Sequence, residues 1–233
     1  MANEGTLLFL FDGAVFRVGE GVQPPKAGSL FFARHLDVKE GEEVLDLGAG
    51  MGLTAVLAAR VAKRVVATDI VPECVTLTVQ NALLNGVGDR VEGRVGDVYA
   101  PVRGMTFDLI LSNPPQMPTP PGRDREDWMA YADNGGGDGW AVLDRVIRGA
   151  PEQLKPGGRV IFSIFDFLGV QRGQNTLRTA GLTPSIVARE VEPFPRLGYE
   201  RLDHLRNLDT EGTLPRDQWP KTVERIILCG RKA

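Results

Sequence analysis

Between residues 43 and 165 the chain repeats one pattern: a short apolar run, then a segment whose apolar residues recur at helical spacing. Glu43 to Leu47, Arg64 to Asp69, Arg90 to Val95, Phe107 to Ser112 and Arg159 to Phe165 read as strands. Leu53 to Ala62 carries Leu53, Val56, Leu57 and Val61 on one stripe and reads as a helix. Pro72 opens a second helix, with Val75, Val79, Ala82 and Leu83 facing inward, and Asn85-Gly86 closes it. Gly139 to Leu154 is a third, with Trp140, Leu143, Ile147 and Ala150 on its apolar side. Strands that alternate with helices pair in parallel through right-handed crossovers, so the chain is committed to an α/β sheet. A helix over Gly169 to Ala180 and strands over Ser185–Val191 and Val223–Cys229 complete it. The last two strands are joined by Glu192 to Thr222, rich in Pro, Arg and aromatics, with no helix of normal length.

Ahead of this core, residues 6–11 and 14–18 read as a hairpin turning at Asp12-Gly13. A Gly/Pro-rich loop and a short helix over 28–37 follow. The expected organisation is a hairpin and helix over 1–38 covering the cofactor site. A core over 39–233 carries loop insertions at 116–138 and 192–222. With 233 residues there is enough chain for one large domain, and nothing marks a second. A formal net charge of -3 gives no general attraction for nucleic acid phosphates. Cys74 and Cys229 have no metal spacing, so two reduced core thiols and no metal site are expected. The N-terminus has no signal-like start, and no apolar run approaches the ~20 residues that span a bilayer. A cytoplasmic protein with no membrane partner is therefore expected.

Asp46-Leu47-Gly48-Ala49-Gly50-Met51-Gly52 joins the first core strand to its helix. The glycines permit a tight turn and close approach of a ligand to the backbone. Pyrophosphate loops want Gly-x-Gly-x-x-Gly, but Leu53 holds the third position, and Asp46 would repel a pyrophosphate. A carboxylate there suits a cation such as an amino acid's amino group. Asp69 ends the second strand, where a carboxylate accepts from ribose hydroxyls. Asp97, after the third, is placed to accept from an adenine amine, beside Val98. Together these describe a nucleoside joined to an amino acid, which fits S-adenosylmethionine.

This arrangement resembles the class I S-adenosylmethionine-dependent methyltransferases over about residues 40 to 230. The resemblance implies a Rossmann-like seven-stranded sheet, mostly parallel with a reversed last strand and helices on both faces. It implies cofactor contacts from Asp46, Gly48, Ala49, Gly50, Asp69, Ile70, Asp97 and Val98, with Asn113 reaching the same site.

Asn113-Pro114-Pro115-Gln116 follows the strand Phe107–Ser112, at the edge of an open sheet where ligands bind. It resembles the Asn-Pro-Pro-aromatic motif of amino-methylating members of the class. In-line methyl transfer needs the nucleophile's lone pair aimed at the methyl, and two acceptors can fix the hydrogens of a planar amide or aryl amine nitrogen so that it is. The Asn113 oxygen and the Pro114 carbonyl supply them, and they hold the nitrogen more tightly as its positive charge grows. Proline keeps the carbonyls aimed. Gly136-Gly137-Asp138-Gly139-Trp140 and Leu154-Lys155-Pro156-Gly157-Gly158 resemble the HemK-like group of the small-methyltransferase superfamily, whose release factor members methylate protein glutamine.

Gln116 stands where the family has an aromatic, and no N-terminal helical substrate domain precedes the core. Acceptor contacts are assigned to Pro115, Gln116, Trp128, Tyr131 and Tyr199, with Phe165 a further candidate wall. Gln116 to Asn134 is read as a substrate lid. His204 is weighed as a base but read as a surface histidine, and His35 and Phe31 as structural. The expectation is N-methylation of an amide or amine on a protein, peptide or small molecule. The alternatives are an RNA-base methyltransferase, a nicotinamide oxidoreductase and a catalytically silent cofactor-binding module.

Overall fold

The computed structural model describes residues 7–19, 22–122 and 132–233. A two-stranded hairpin, β1 (Leu7–Phe11) and β2 (Ala14–Val18), leads to α1 (Ala27–Ala33). The core then runs β3 (Glu43–Leu47), α2 (Leu53–Ala59), β4 (Arg64–Asp69), α3 (Pro72–Leu84), β5 (Val91–Val95), β6 (Phe107–Ser112), α4 (Leu143–Gln153), β7 (Leu154–Phe165), α5 (Val170–Thr179) and β8 (Thr183–Pro193). Two short helices, α6 (Arg196–Glu200) and α7 (Leu202–Leu208), precede β9 (Thr222–Arg231). The seven core strands form one sheet in the order β5-β4-β3-β6-β7-β9-β8. All neighbours are parallel except β9, which runs antiparallel to β7 and β8. This is the Rossmann-like, mostly parallel sheet with a reversed last strand that the family resemblance implied.

Strand alternation explains why helices cover both faces. Val44, Leu109, Leu111 and Ile161 enter a core with α1, α2 and α3, whereas Leu45, Leu47, Ile110, Val160 and Phe162 enter another with α4, α5 and α7. Side chains on successive strand residues point to opposite faces, so an unbroken apolar run requires cover on both.

The hairpin is tied to the core by polar side chains. Asn81 on α3 and Asn85, which caps it, lie one turn apart and act as a substitute strand for β2. Their Oδ1 atoms accept from the Arg17 and Val15 N–H groups at 2.8 and 3.0 Å, and their Nδ2 atoms donate to the same residues' carbonyls at 3.0 and 2.7 Å.

Three boundaries differ from expectation for local reasons. The helix expected from Gly139 starts at Leu143, because Gly136 to Trp140 instead forms a turn closed by Asp138 Oδ1, which accepts from the Trp140 N–H at 3.0 Å. The strand expected from Arg159 already pairs at Leu154, opposite Phe107, and a register shift absorbs the turn between. The stretch 192–222, read as loop, contains α6 and α7, whose Leu202 and Leu205 are buried against the sheet. Among the described residues no helix is long and apolar enough to cross a membrane.

Candidate active site

β3 and β6 are neighbours, but β3 continues towards β4 and β6 towards β7. Connections leaving in opposite directions open a crevice at the strands' carboxyl ends. That crevice holds a cavity of about 700 Å³. Its walls bring together the loops after β3, β4, β5 and β6, the Val22–Pro25 segment and one side of α4.

The glycine loop is held from below. Gly48 and Ala49 donate their N–H groups to the Thr68 carbonyl at 2.9 and 3.0 Å, and Thr78 Oγ1 donates to the Gly50 carbonyl at 3.1 Å. Gly48 and Gly50 have φ of +77° and +57°, and a Cβ on either would meet nothing within 4 Å. Their lack of side chain is thus required by backbone conformation, and the space left is ligand space.

Asp46 is the electrostatic focus. It is 2% exposed, and its Oδ2 has no hydrogen-bond partner among the described residues. Burial, and then the nearby Asp69 charge, push its carboxyl up to about 7, against a weaker pull from the Ala55 N–H. A buried carboxylate with an unmatched oxygen is costly, and a cation carrying N–H donors relieves both the charge and the orphaned atom. This donor set fits the amino acid end of S-adenosylmethionine. Asp69 is also raised by burial, although its Oδ2 accepts from the Gly50 N–H at 2.9 Å and its Oδ1 from the Val71 N–H at 3.0 Å. Each carboxylate oxygen has a second lone pair, so both can still accept from a ligand.

Asp97 lines the same cavity, paired with Arg145 of α4 at 2.6 Å. Val98 has φ +47°, a strained conformation for a β-branched residue, which costs about 1–3 kcal/mol. Such strain persists where neighbours enforce it. Here the Gly96 N–H is held by the Asp69 carbonyl at 2.9 Å and the Ala100 N–H by the Asp97 carbonyl at 3.0 Å.

Ala49, Ile70, Asn113, Pro114 and Pro115 also line the cavity. Asn113 Oδ1 accepts from Ser163 Oγ at 2.5 Å, and its Nδ2 donates to Ser29 Oγ at 3.4 Å. Gln116 departs from its expected place on the substrate side. It is 4% exposed and points under the loop to β7. Past Ser112 the chain leaves the sheet, and the Gln116 amide replaces the missing strand. Its Oε1 accepts from the Phe165 N–H at 2.9 Å, and its Nε2 donates to the Ser163 carbonyl at 3.2 Å. Buried backbone groups must be paired, which is why an amide fits here where an aromatic ring would leave both open.

The glycine-rich turn supports Gln116 from outside. A Cβ on Gly135 would lie 2.6 Å from Gln116 Cα, and one on Gly139 2.6 Å from the Gln116 carbonyl oxygen. Arg201 ties the same loop to α7, donating to the Pro118 carbonyl at 3.0 Å and to Thr119 Oγ1 at 2.8 Å.

Other expected contacts fall elsewhere. Tyr199 lies away from the cavity walls, its hydroxyl donating to the Pro220 carbonyl at 2.7 Å and its ring packed on Phe194. Phe165 is buried, stacked on Phe167 with the Arg225 guanidinium over its ring at 3.9 Å. Trp128 and Tyr131, with the middle of the expected lid, lie outside the described residues. His204 contacts the Gly137 carbonyl, and His35, just past the end of α1, contacts the Phe31 carbonyl. Sequence reasoning missed Ser29, Arg145 and Ser163. Only Ser163 had a visible signal, as the one polar side chain in the apolar run Val160 to Phe165. Among the described residues no cluster of side chains suits a metal ion.

A parallel sheet reversed in its last strand, with a glycine turn and an unmatched carboxylate at the switch point, defines a class I S-adenosylmethionine-dependent methyltransferase. Comparison with known proteins narrows the class. Residues 21–119 match the methyltransferase small domain family. The chain is 32% identical over 192 residues to the "Putative protein N5-glutamine methyltransferase" of Methanocaldococcus jannaschii, covering 82% of this chain and 96% of that protein. It is 35% identical over 203 residues to the release factor glutamine methyltransferase of Cereibacter sphaeroides, covering 83% and 69%. Among solved structures, the Thermus thermophilus 16S rRNA N2 G1207 methyltransferase, in complex with AdoMet and guanosine, superposes with TM-score 0.62 at 18% identity. That match covers 98% of this chain and 50% of the other. The likeness is one of fold. The chain belongs to the small-domain, HemK-like family of S-adenosylmethionine-dependent methyltransferases.

Proposed function

We propose that this enzyme transfers a methyl group to a side-chain amide nitrogen of glutamine in a protein. The observation that carries the reading is the shared cavity, lined by Asn113 and Pro114 together with the glycine turn and Asp46. Its relatives named for protein glutamine methylation support the acceptor class. S-adenosylmethionine, when bound, supplies the electrophilic methyl. Asp46 holds the cationic amino group, the turn over Gly48, Ala49 and Gly50 gives the backbone approach, and Asp69 and Ile70 face the ribose. Asp97 and Val98 edge the adenine. On the acceptor side, Asn113 Oδ1 and the Pro114 carbonyl accept the two amide hydrogens and point the nitrogen lone pair along the transfer axis, with Pro115 forming the adjoining wall. They bind more strongly as positive charge grows on nitrogen, so they act on kcat. Most of the acceleration then comes from positioning, worth up to ~7–11 kcal/mol in good cases.

The test is transfer of tritiated methyl from S-adenosylmethionine to a peptide-chain release factor, with structured RNA as the comparison substrate. Asn113→Ala should lower kcat by about 100-fold or more, the scale of a lost transition-state acceptor, with cofactor affinity unchanged. Full activity in this variant, or methyl transfer only to RNA, would overturn the reading.

A further inference from the structure

A side-chain amide has two ends that occupy nearly the same shape, one accepting and one donating. If Asn113 turned by half a revolution, it would face an acceptor amide with its own N–H groups, donor against donor. Something must set which end faces the cavity, and a chain of hydrogen bonds beneath it does so.

The chain starts on β7, where polarity is not adjustable. The Phe165 N–H can only donate and the Ser163 carbonyl only accept. Gln116 meets both, so its Oε1 must lie at Phe165 (2.9 Å) and its Nε2 at Ser163 (3.2 Å). Gln116 Nε2 also donates to Ser163 Oγ and to the Pro114 carbonyl, each at 3.4 Å. An NH₂ group has no lone pair to offer here, so the serine oxygen acts as acceptor towards it. The single hydroxyl proton of Ser163 is then left for its other neighbour, Asn113 Oδ1, at 2.5 Å. Among the described residues Asn113 Oδ1 is the acceptor recorded for that proton, and a buried hydroxyl that keeps its proton bonded selects the oxygen end of Asn113. The nitrogen end is turned to Ser29 Oγ at 3.4 Å, and the second lone pair of Oδ1 remains for a ligand.

We infer that Gln116 and Ser163 are positioning residues, a one-way hydrogen-bond relay from the β7 backbone that keeps the Asn113 oxygen facing the methyl acceptor. The inference rests on the acceptor-holding role proposed for Asn113. It also gives Gln116 a function that its burial permits and substrate contact does not. The lower part of the relay is shielded from water, with Gln116 4% exposed and Ser163 fully buried.

Two measurements test it. The first is kinetic. Ser163→Ala should lower kcat on the release factor about tenfold, the scale of one neutral hydrogen bond, with cofactor Kd unchanged and KM little moved. Gln116→Met should do the same, and Ser163→Thr, which keeps the hydroxyl, should restore activity. The second uses side-chain amide NMR and needs no acceptor. In the wild-type protein the Asn113 amide protons should show contacts to the Ser29 β protons and none to those of Ser163. In Ser163→Ala a second set, to the methyl at position 163, should appear. If Asn113→Ala is inactive while Ser163→Ala keeps wild-type kcat and a single amide orientation, the relay is wrong and the role of Asn113 stands. If Asn113→Ala keeps full activity, that role fails, and the NMR contacts alone decide the relay. A doubled pattern in the wild-type protein overturns the relay without any variant.

Discussion

Asp46→Asn should make the cofactor-free protein more stable and the enzyme worse. Burial, with Asp69 second, lifts the Asp46 carboxyl from an ordinary 3.8 to about 7. A carboxyl raised in the folded state contributes its stability fully below the unfolded value and loses it as pH rises through the folded one. The loss therefore falls between about pH 4 and pH 7, and at ~1.4 kcal/mol per pH unit it amounts to roughly 4 kcal/mol at most. Asparagine keeps the shape and removes the charge. At pH 8 the variant should gain about 1–3 kcal/mol in urea denaturation, allowing for relaxation around the charge, and at pH 4 the two proteins should converge. Cofactor binding should move the other way. Loss of a charge-assisted hydrogen bond of about 1.5–3 kcal/mol weakens S-adenosylmethionine about 10- to 100-fold by calorimetry. Wild-type affinity should also climb from pH 5 to 7 as Asp46 ionises, while the variant's stays flat. A variant that is no more stable at pH 8 and binds the cofactor as tightly as wild type refutes the assignment of Asp46 to a cation.

Three further outcomes follow from contacts outside the cavity. Gly139→Ala forces a Cβ to 2.6 Å from the Gln116 carbonyl at a φ of +81°, and should cost about 2–4 kcal/mol in denaturant midpoint analysis while also depressing kcat through Gln116. Arg159→Met should cost about 3–5 kcal/mol, because Arg159 is buried between Glu42 at 2.6 Å and Asp37 at 3.2 Å and its loss strands Glu42. Burial raises the Glu42 carboxyl, but the bonds and charges of Arg159 and Lys39 together leave it lowered, so wild-type stability should fall with acid below about pH 4.5 and the variant should lack the Arg159 part of that acid response. Asn81→Ala removes the bonds to both backbone groups of Arg17 and one to the Met51 carbonyl, and should cost about 2–3 kcal/mol, seen as earlier proteolysis of the hairpin.

Much of this molecule is legible in one dimension. The short apolar runs Val44 to Leu47 and Phe107 to Ser112, each ending in a polar loop, mark strands and their carboxyl edges. Because apolar runs and glycine spacing are local properties, reading them needs no partner. They placed Asp46, Gly48, Gly50, Asp69, Asp97 and Asn113 at strand ends and in the loops after them, which the fold does gather around one cavity. Gln116 shows where such reading ends. Its place in the motif suggested a substrate-facing side chain, yet its direction is set by Ser163 and Phe165, 47 and 49 residues away.

The amino-acid sequence alone determined the class of fold, the cofactor loop and the position of the Asn-Pro-Pro turn, since backbone conformation and hydrophobic period are written residue by residue. Tertiary structure alone decided which polar atoms are matched. It left Asp46 Oδ2 without a partner among the described residues, turned Gln116 inward, and set Ser163 beneath Asn113. Hydrogen bonds are short-ranged and directional, so their pairing exists only once distant segments meet.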